Sequence, residues 1–248
     1  MVIVSLQATL LAYLAQPRWK AIILSLPIPF TIATLSVAQR PNITHVLGLV
    51  LLFSYTQGVR LLNARLRVPI VFAIILSAVS YCVVAGLLAP WLPGGEAAFW
   101  LASAVVLALG IALFRALPAR TEPDYRSPLA VWMKLPIIIA VIVCLVIMKA
   151  WLQGFMALFP MVGVVAAYEA RHSLWTMGRQ IPVMMTAMVP MMVVSHVTQP
   201  AVGLGLSLVA GWLVFLAVFL PVAWRMRRGD TPSATGLAPS PMGYSGDR

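Results

Sequence analysis

Acidic residues are nearly missing from this chain: six Asp and Glu stand against 17 Lys and Arg in 248 residues, and charged residues of both signs make up only 9% of it. That polar complement cannot cover a soluble globule of this length, which sets aside a soluble enzyme, a secreted disulfide scaffold and a disordered chain together. Cysteine is as scarce. Cys82 and Cys144 both fall inside apolar runs, where a thiol behaves as a small buried hydrophobe, so neither a structural disulfide nor a metal knuckle is implied. Histidine is limited to His45, His172 and His196, without the spacing of a zinc-binding helix.

These shortages also weigh against catalysis. Holding Mg²⁺ for phosphoryl or prenyl transfer takes clustered carboxylates, and ahead of the C-terminal tail only Glu96, Glu122, Asp124 and Glu169 are present, widely scattered. Gly205-Leu206-Ser207 has no later histidine to serve as base for a serine nucleophile. Glu169-Ala170-Arg171-His172 has the Glu-x-x-His spacing of a di-iron helix, but the second motif and two further glutamates are lacking. The chain reads as no enzyme, and no cofactor is expected.

What is abundant is apolar: 62% of residues are hydrophobic and the mean hydropathy is +0.97, the composition of an integral membrane protein. A spanning helix needs about 20 residues. Residues 21–39, 41–59, 68–95, 97–114 and 150–168 each have room for one, and a further span runs from near Ser127-Pro128 to Lys149 with Lys134 reaching the interface. Residues 180–224 carry no charge and must hold two, with Gln199-Pro200 as the expected break. Residues 1–17 form a short ninth apolar helix, and residues 229–248 read as a disordered Gly/Pro/Ser-rich tail. The fold class is thus an all-α polytopic transmembrane bundle of eight or nine spans. Asn42-Ile43-Thr44 has the form of a glycosylation sequon but is better read as a helix start.

Alternating the gaps between spans leaves only Arg40 and Lys149 on one side and the other fifteen basic residues on the opposite side. The positive-inside rule makes the basic side cytoplasmic, C-terminus included. The surplus of positive charge therefore reports topology, and nucleic acid is not an expected partner. Membrane lipid is, along with a membrane-protein partner or a second copy of the chain.

The order of features suggests a duplication. Four spans at 18–118, a cytoplasmic linker at 119–131 and four more at 132–228 would form two parallel repeats, with Tyr55 falling on Tyr168 and Pro69 on Pro182 at a fixed offset. Leu158-Phe159-Pro160, followed by Tyr168, Arg171 and an apolar span with Pro190, resembles the small four-span GlpM-like inner-membrane proteins. The resemblance covers residues 150–226, and the first half departs from it by lacking the Phe-Pro pair. It implies a tandem version of that unit, connected with envelope polysaccharide production.

Ionisable groups beside apolar spans are costly and so become functional candidates. Tyr55, Gln57 and Arg60 in the first half, with Tyr168, Glu169, Arg171 and His172 in the second, are the expected substrate-binding set, suited to a small anion or an amphiphile headgroup. The functional expectation is a permease for a small solute or a lipid-linked envelope intermediate. Its rival is a non-transporting scaffold or accessory subunit whose basic loops dock a partner or anionic lipid. A third reading rests on Met184, Met188, Met192 and His196, which recur every four residues and could pass Cu(I) along one helix face, against the plainer role of methionine as core filler.

Overall fold

The computed structural model describes residues 25–118 and 153–229, together with Trp19, Ile22, Ile23 and Glu122. Every regular element among them is helical: α1 (Ile28–Val37), α2 (Ile43–Ala64), α3 (Ile70–Leu88) with a 3₁₀ turn (Ala89–Trp91), α4 (Glu96–Ala116), a 3₁₀ segment (Gln153–Leu158), α5 (Met161–Glu169) and α6 (Leu174–Gly229). Four of these helices, α2, α3, α4 and α6, are long and apolar enough to cross a membrane. The expected N-terminal helix at 1–17, most of the 119–131 linker, the span ending at Lys149 and the tail beyond Gly229 lie outside the described residues.

Helix α2 starts where its sequence asks it to. Asn42 sits in extended backbone and its Oδ1 accepts from the Thr44 amide at 3.1 Å, while the Asn42 amide donates to His45 Nδ1 at 3.3 Å. This reciprocal cap satisfies two of the amides that a helix N-terminus leaves free. From there α2 runs through the middle of the bundle, packed on α3, α4, α6 and the 3₁₀ segment, with Val46, Leu49, Tyr55 and Val59 buried. The outer faces are apolar as well. Phe72, Ile75, Leu76 and Val79 on α3, and Leu206, Leu213 and Leu220 on α6, recur at helical spacing and are exposed. Contiguous exposed stripes of this kind suit lipid as the surrounding solvent.

Two of the expected spans are not continuous helices. The segment 21–39 breaks at Leu26-Pro27, leaving ten residues in α1, and 150–168 is a 3₁₀ segment joined at Phe159-Pro160 to the nine residues of α5. At about 1.5 Å per residue neither α1 nor α5 covers the hydrocarbon thickness alone. The cause is proline: Pro27, Pro29 and Pro160 withhold the amides that would continue the ladder.

Residues 180–224 lie in the two helical arms of α6, and the reversal between them is at Gly203 and not at Gln199-Pro200. Gly203 has φ 78° and ψ 168°, a region essentially closed to residues with a Cβ. Ser195 Oγ donates to the Ser207 carbonyl at 3.1 Å, whereas twelve residues of straight helix would hold them about 18 Å apart, so the second arm folds back on the first. Pro200 is carried inside the first arm.

A parallel duplication is not reflected in these elements. Tyr55 lies in the middle of the 22-residue α2, but Tyr168 lies at the end of the nine-residue α5; Pro69 precedes α3 in extended backbone, while Pro182 is inside α6. Helices α2 and α4 pack directly against α6.

Gly203→Ala is expected to lower the stability of the detergent-solubilised chain by about 1–3 kcal/mol, the cost of forcing a Cβ into that region of backbone space. Thermal unfolding compared with a Gly205→Ala control, where a Cβ meets nothing within 4 Å and the backbone is not left-handed, measures it.

Candidate functional site

The ends of the helices sort by charge. Arg60, Arg65, Arg171, His172 and Arg179 gather at one end with the close of α4, whereas Arg40, Glu96 and His196 gather at the other. Lys134 and Lys149 lie outside the described residues.

The basic end holds a cleft of about 600 Å³, lined by Arg60, Asn63, Arg65, Glu122, Arg171, His172, Leu174 and Trp175. Its walls come from the last turns of α2, the α5–α6 link and the first turn of α6. Trp175 pins these together: its indole Nε1 donates to the Pro118 carbonyl at 2.9 Å and its ring carries the Arg60 guanidinium at 4.5 Å. One turn on, Arg179 Nε donates to the Leu117 carbonyl at 2.9 Å and its guanidinium lies over Phe114 at 5.6 Å. Glu122 closes the start of α6, accepting from the amides of Trp175 at 3.2 Å and Thr176 at 2.7 Å. A carboxylate there satisfies free amides and sits at the positive end of the helix dipole.

Of the seven residues expected to bind substrate, Arg60, Arg171 and His172 line this cleft. Arg171 stands over the Tyr168 ring at 5.1 Å and its Nε donates to His172 Nε2 at 3.3 Å. Tyr55, Gln57 and Glu169 lie deeper. Tyr55 is buried and its ring edge is 3.6 Å from where a Cβ on Gly163 of α5 would stand, Gln57 Nε2 approaches Gly178 of α6 as closely as 2.9 Å by the same measure, and Glu169 is fully buried. The seven therefore line one seam without forming a single pocket. Asn63, Arg65, Glu122 and Trp175 were missed by sequence reasoning. Glu122 had a signal, as one of two acids in an otherwise basic linker; Trp175 had none beyond following Arg171-His172.

One helical turn deeper is a second, smaller space of about 50 Å³, apolar, where the two broken segments meet: Pro27, Pro29 and Phe30 on one side, Phe159, Pro160 and Gly163 on the other. Thr56 of α2 and Met177 of α6 line it, each within four residues of a residue that lines the cleft, Arg60 and Leu174. Cleft and cavity thus succeed one another along the α2–α6 seam. Two buried polar atoms of these helices, Tyr55 Oη and Gln180 Nε2, have no hydrogen-bond partner among the described residues.

The methionine ladder lies on the inner side of the first arm of α6. Met184 and Met188 line the apolar cavity, and Met188 and Met192 are essentially inaccessible. His196 has both ring nitrogens engaged, Nδ1 on the Pro41 carbonyl at 2.6 Å and Nε2 on Glu96 Oε2 at 2.9 Å, so in this arrangement neither is turned to a metal. Among the described residues no group of three His, Cys, Asp or Glu side chains is placed to hold a metal ion.

No family model matches the chain, and no curated protein or solved structure matches it either.

Removing the carboxylate of Glu122 (Glu122→Ala) is expected to cost about 1 kcal/mol, the usual worth of a helix cap. A lowered melting temperature, with the loss reduced in high salt for the dipole share of the effect, is the measurement.

Proposed function

We propose that this is a multi-pass permease of the bacterial inner membrane that takes an anionic small solute or lipid-linked envelope intermediate at the basic cleft and passes it along the α2–α6 seam. The observation that carries the reading is the succession of cleft and cavity: guanidinium and imidazole groups at the mouth, then a cavity between two proline-broken helices one turn further in. Short, interrupted helices meeting inside a bundle are a feature of transporter binding sites, where irregular backbone is tolerated because protein or a cavity surrounds it. Arginine suits the anion, since its planar fork matches a carboxylate or phosphate edge.

The finer topology belongs to this proposal: eight or nine spans with the basic end and the C-terminus cytoplasmic, on the positive-inside rule. So does the GlpM-like resemblance of Leu158-Phe159-Pro160 with Tyr168 and Arg171, which would set the solute among envelope polysaccharide precursors. A scaffold would need the basic end for docking but would have no use for the seam behind it. Copper handling draws support only from the spacing of Met184, Met188 and Met192, whose burial suits packing equally well.

Full-length protein in nanodiscs, titrated with pyrophosphate and separately with short-chain phosphatidic acid, tests the cleft. Arg60→Gln and Arg171→Gln are each expected to weaken binding about tenfold or more, since a hydrogen bond to a charged group is worth about 1.5–3 kcal/mol. Accumulation of the bound probe in proteoliposomes separates permease from scaffold: binding without accumulation supports the scaffold, and no binding by either probe refutes the anion site.

Orientation has its own test. Cysteines introduced at Gly94 and Gln199 are expected to react with an impermeant thiol reagent from outside intact cells. Reaction only from the cytoplasmic side would reverse the assignment.

A further inference from the structure

At the end of the bundle opposite the cleft, three ionisable side chains from distant parts of the chain close on one another. Arg40, between α1 and α2, donates through Nη1 to Glu96 Oε1 at 3.0 Å and through Nε to the His196 carbonyl at 3.0 Å. Glu96, the first residue of α4, turns Oε2 to His196 Nε2 at 2.9 Å. His196, near the end of the first arm of α6, also donates from Nδ1 to the Pro41 carbonyl at 2.6 Å, and its ring is stacked on Phe99 at 3.9 Å with the planes 18° apart. A carbonyl can only accept, so Nδ1 donates to Pro41, and one proton lies between Nε2 and Glu96 Oε2. Glu96 is the carboxylate shared between the guanidinium and the imidazole. Its side chain is 60% exposed, whereas that of His196 is 6% exposed, so water has direct access to the carboxylate.

We propose that Arg40, Glu96 and His196 form a proton-binding latch that holds this end of the bundle closed and opens it when Glu96 takes up a proton. The proton adds to one carboxylate oxygen, which turns that oxygen from acceptor to donor and removes the negative charge. Because one proton already lies between Oε2 and Nε2, the added proton brings a second donor to one of the two contacts, so that contact is lost and the other is weakened. The latch joins the α1–α2 link, the start of α4 and the part of α6 just before Gly203, and releasing it frees the two arms of α6 to move about that glycine. Among the described residues, the charged and titratable groups facing Glu96 are Arg40 and His196. His45, in the first turn of α2, is turned to Asn42 instead, and α3 with its 3₁₀ turn contains no charged residue.

The latch rests on the permease reading for its purpose, as the gate opposite the cleft, but its opening can be read without any solute. In full-length chain with Cys82→Ala and Cys144→Ala, a reporter Met192→Cys lies one turn beneath His196 at a position with no exposure. In nanodiscs at neutral pH, Glu96→Gln, the neutral mimic, is expected to speed maleimide labelling of this reporter about tenfold, within the range of coupling between linked sites. Arg40→Lys, which keeps the charge but can hold only one of the two Arg40 contacts, is expected to label at a rate between those of the parent and Glu96→Gln. A second reporter, Ala73→Cys, fully buried near the basic end, must stay protected in Glu96→Gln, which separates opening from unfolding. Where Glu96→Gln unfolds, the parent chain decides: labelling of Met192→Cys, normalised to the exposed Gly94→Cys to remove thiol chemistry, is expected to rise on acidification. Equal rates in Glu96 and Glu96→Gln chains, or a normalised rate that ignores pH in the parent, overturn the latch and leave the cleft experiments unaffected.

Discussion

A backbone group that leaves its helix inside an apolar bundle must find its partner in the protein, because lipid offers none. The segment Gln153–Glu169 meets this requirement and organises its surroundings in doing so. Tyr81 of α3 donates its hydroxyl to the Phe155 carbonyl at 2.9 Å, and its ring meets Phe159 edge-on at 5.4 Å. Gly154 lies so close to Thr44 and His45 that a Cβ there would collide with both side chains. Gly48 opposes Leu158 in the same way, a Cβ falling 3.0 Å from Cδ1. The 3₁₀ segment is thus clasped between α2 and α3, and the cavity against Pro27 and Phe30 is what this clasp leaves.

The first arm of α6 is the frame on which the two ends of the molecule are fixed relative to one another. Trp175 and His196 mark its ends, and at about 1.5 Å per residue the stretch between them covers about 30 Å, the thickness of a hydrocarbon core. At one end Glu122, Arg179 and the Trp175 indole tie it to the close of α4; at the other Glu96 and Arg40 tie it to the start of α4 and the link before α2. The interior of this arm is filled by Met185, Met188, Met191 and Met192, whose unbranched side chains pack against the irregular surface of broken segments more readily than branched ones. Among the described residues charge lies at the two ends and apolar packing fills the middle, the division a bilayer imposes.

How much of this was legible depended on how local the signal was. The start of α2 was readable from Asn42-Ile43-Thr44, because a cap is made by neighbours in sequence. The reversal within 180–224 was readable as a necessity of length, yet its position was not: Pro200 costs a helix one hydrogen bond near the end of an arm, whereas Gly203 adopts backbone angles that other residues cannot. Arg60, Arg171 and His172 were readable as one site from their place at the ends of apolar runs. What Trp175 and Glu122 contact was not readable, even though Glu122 stood out as an acid in its linker, since their roles are contacts across more than fifty residues.

By itself the sequence determined the solvent: the deficit of charge and the apolar runs require lipid, and they put the charged residues at the ends of the apolar runs. Those are consequences of transfer free energy summed along the chain, and any fold of it must obey them. Tertiary structure alone decided which helices stay whole. Pro27 and Pro160 break theirs while Pro182, Pro190 and Pro221 are carried inside α6. A proline lacks the same amide everywhere, and whether the helix survives depends on which neighbours take up the carbonyl left behind. The three-way closure of Arg40, Glu96 and His196 was decided in the same way, since only packing α4 against α6 brings an acid, a base and an imidazole from three distant positions within hydrogen-bonding reach.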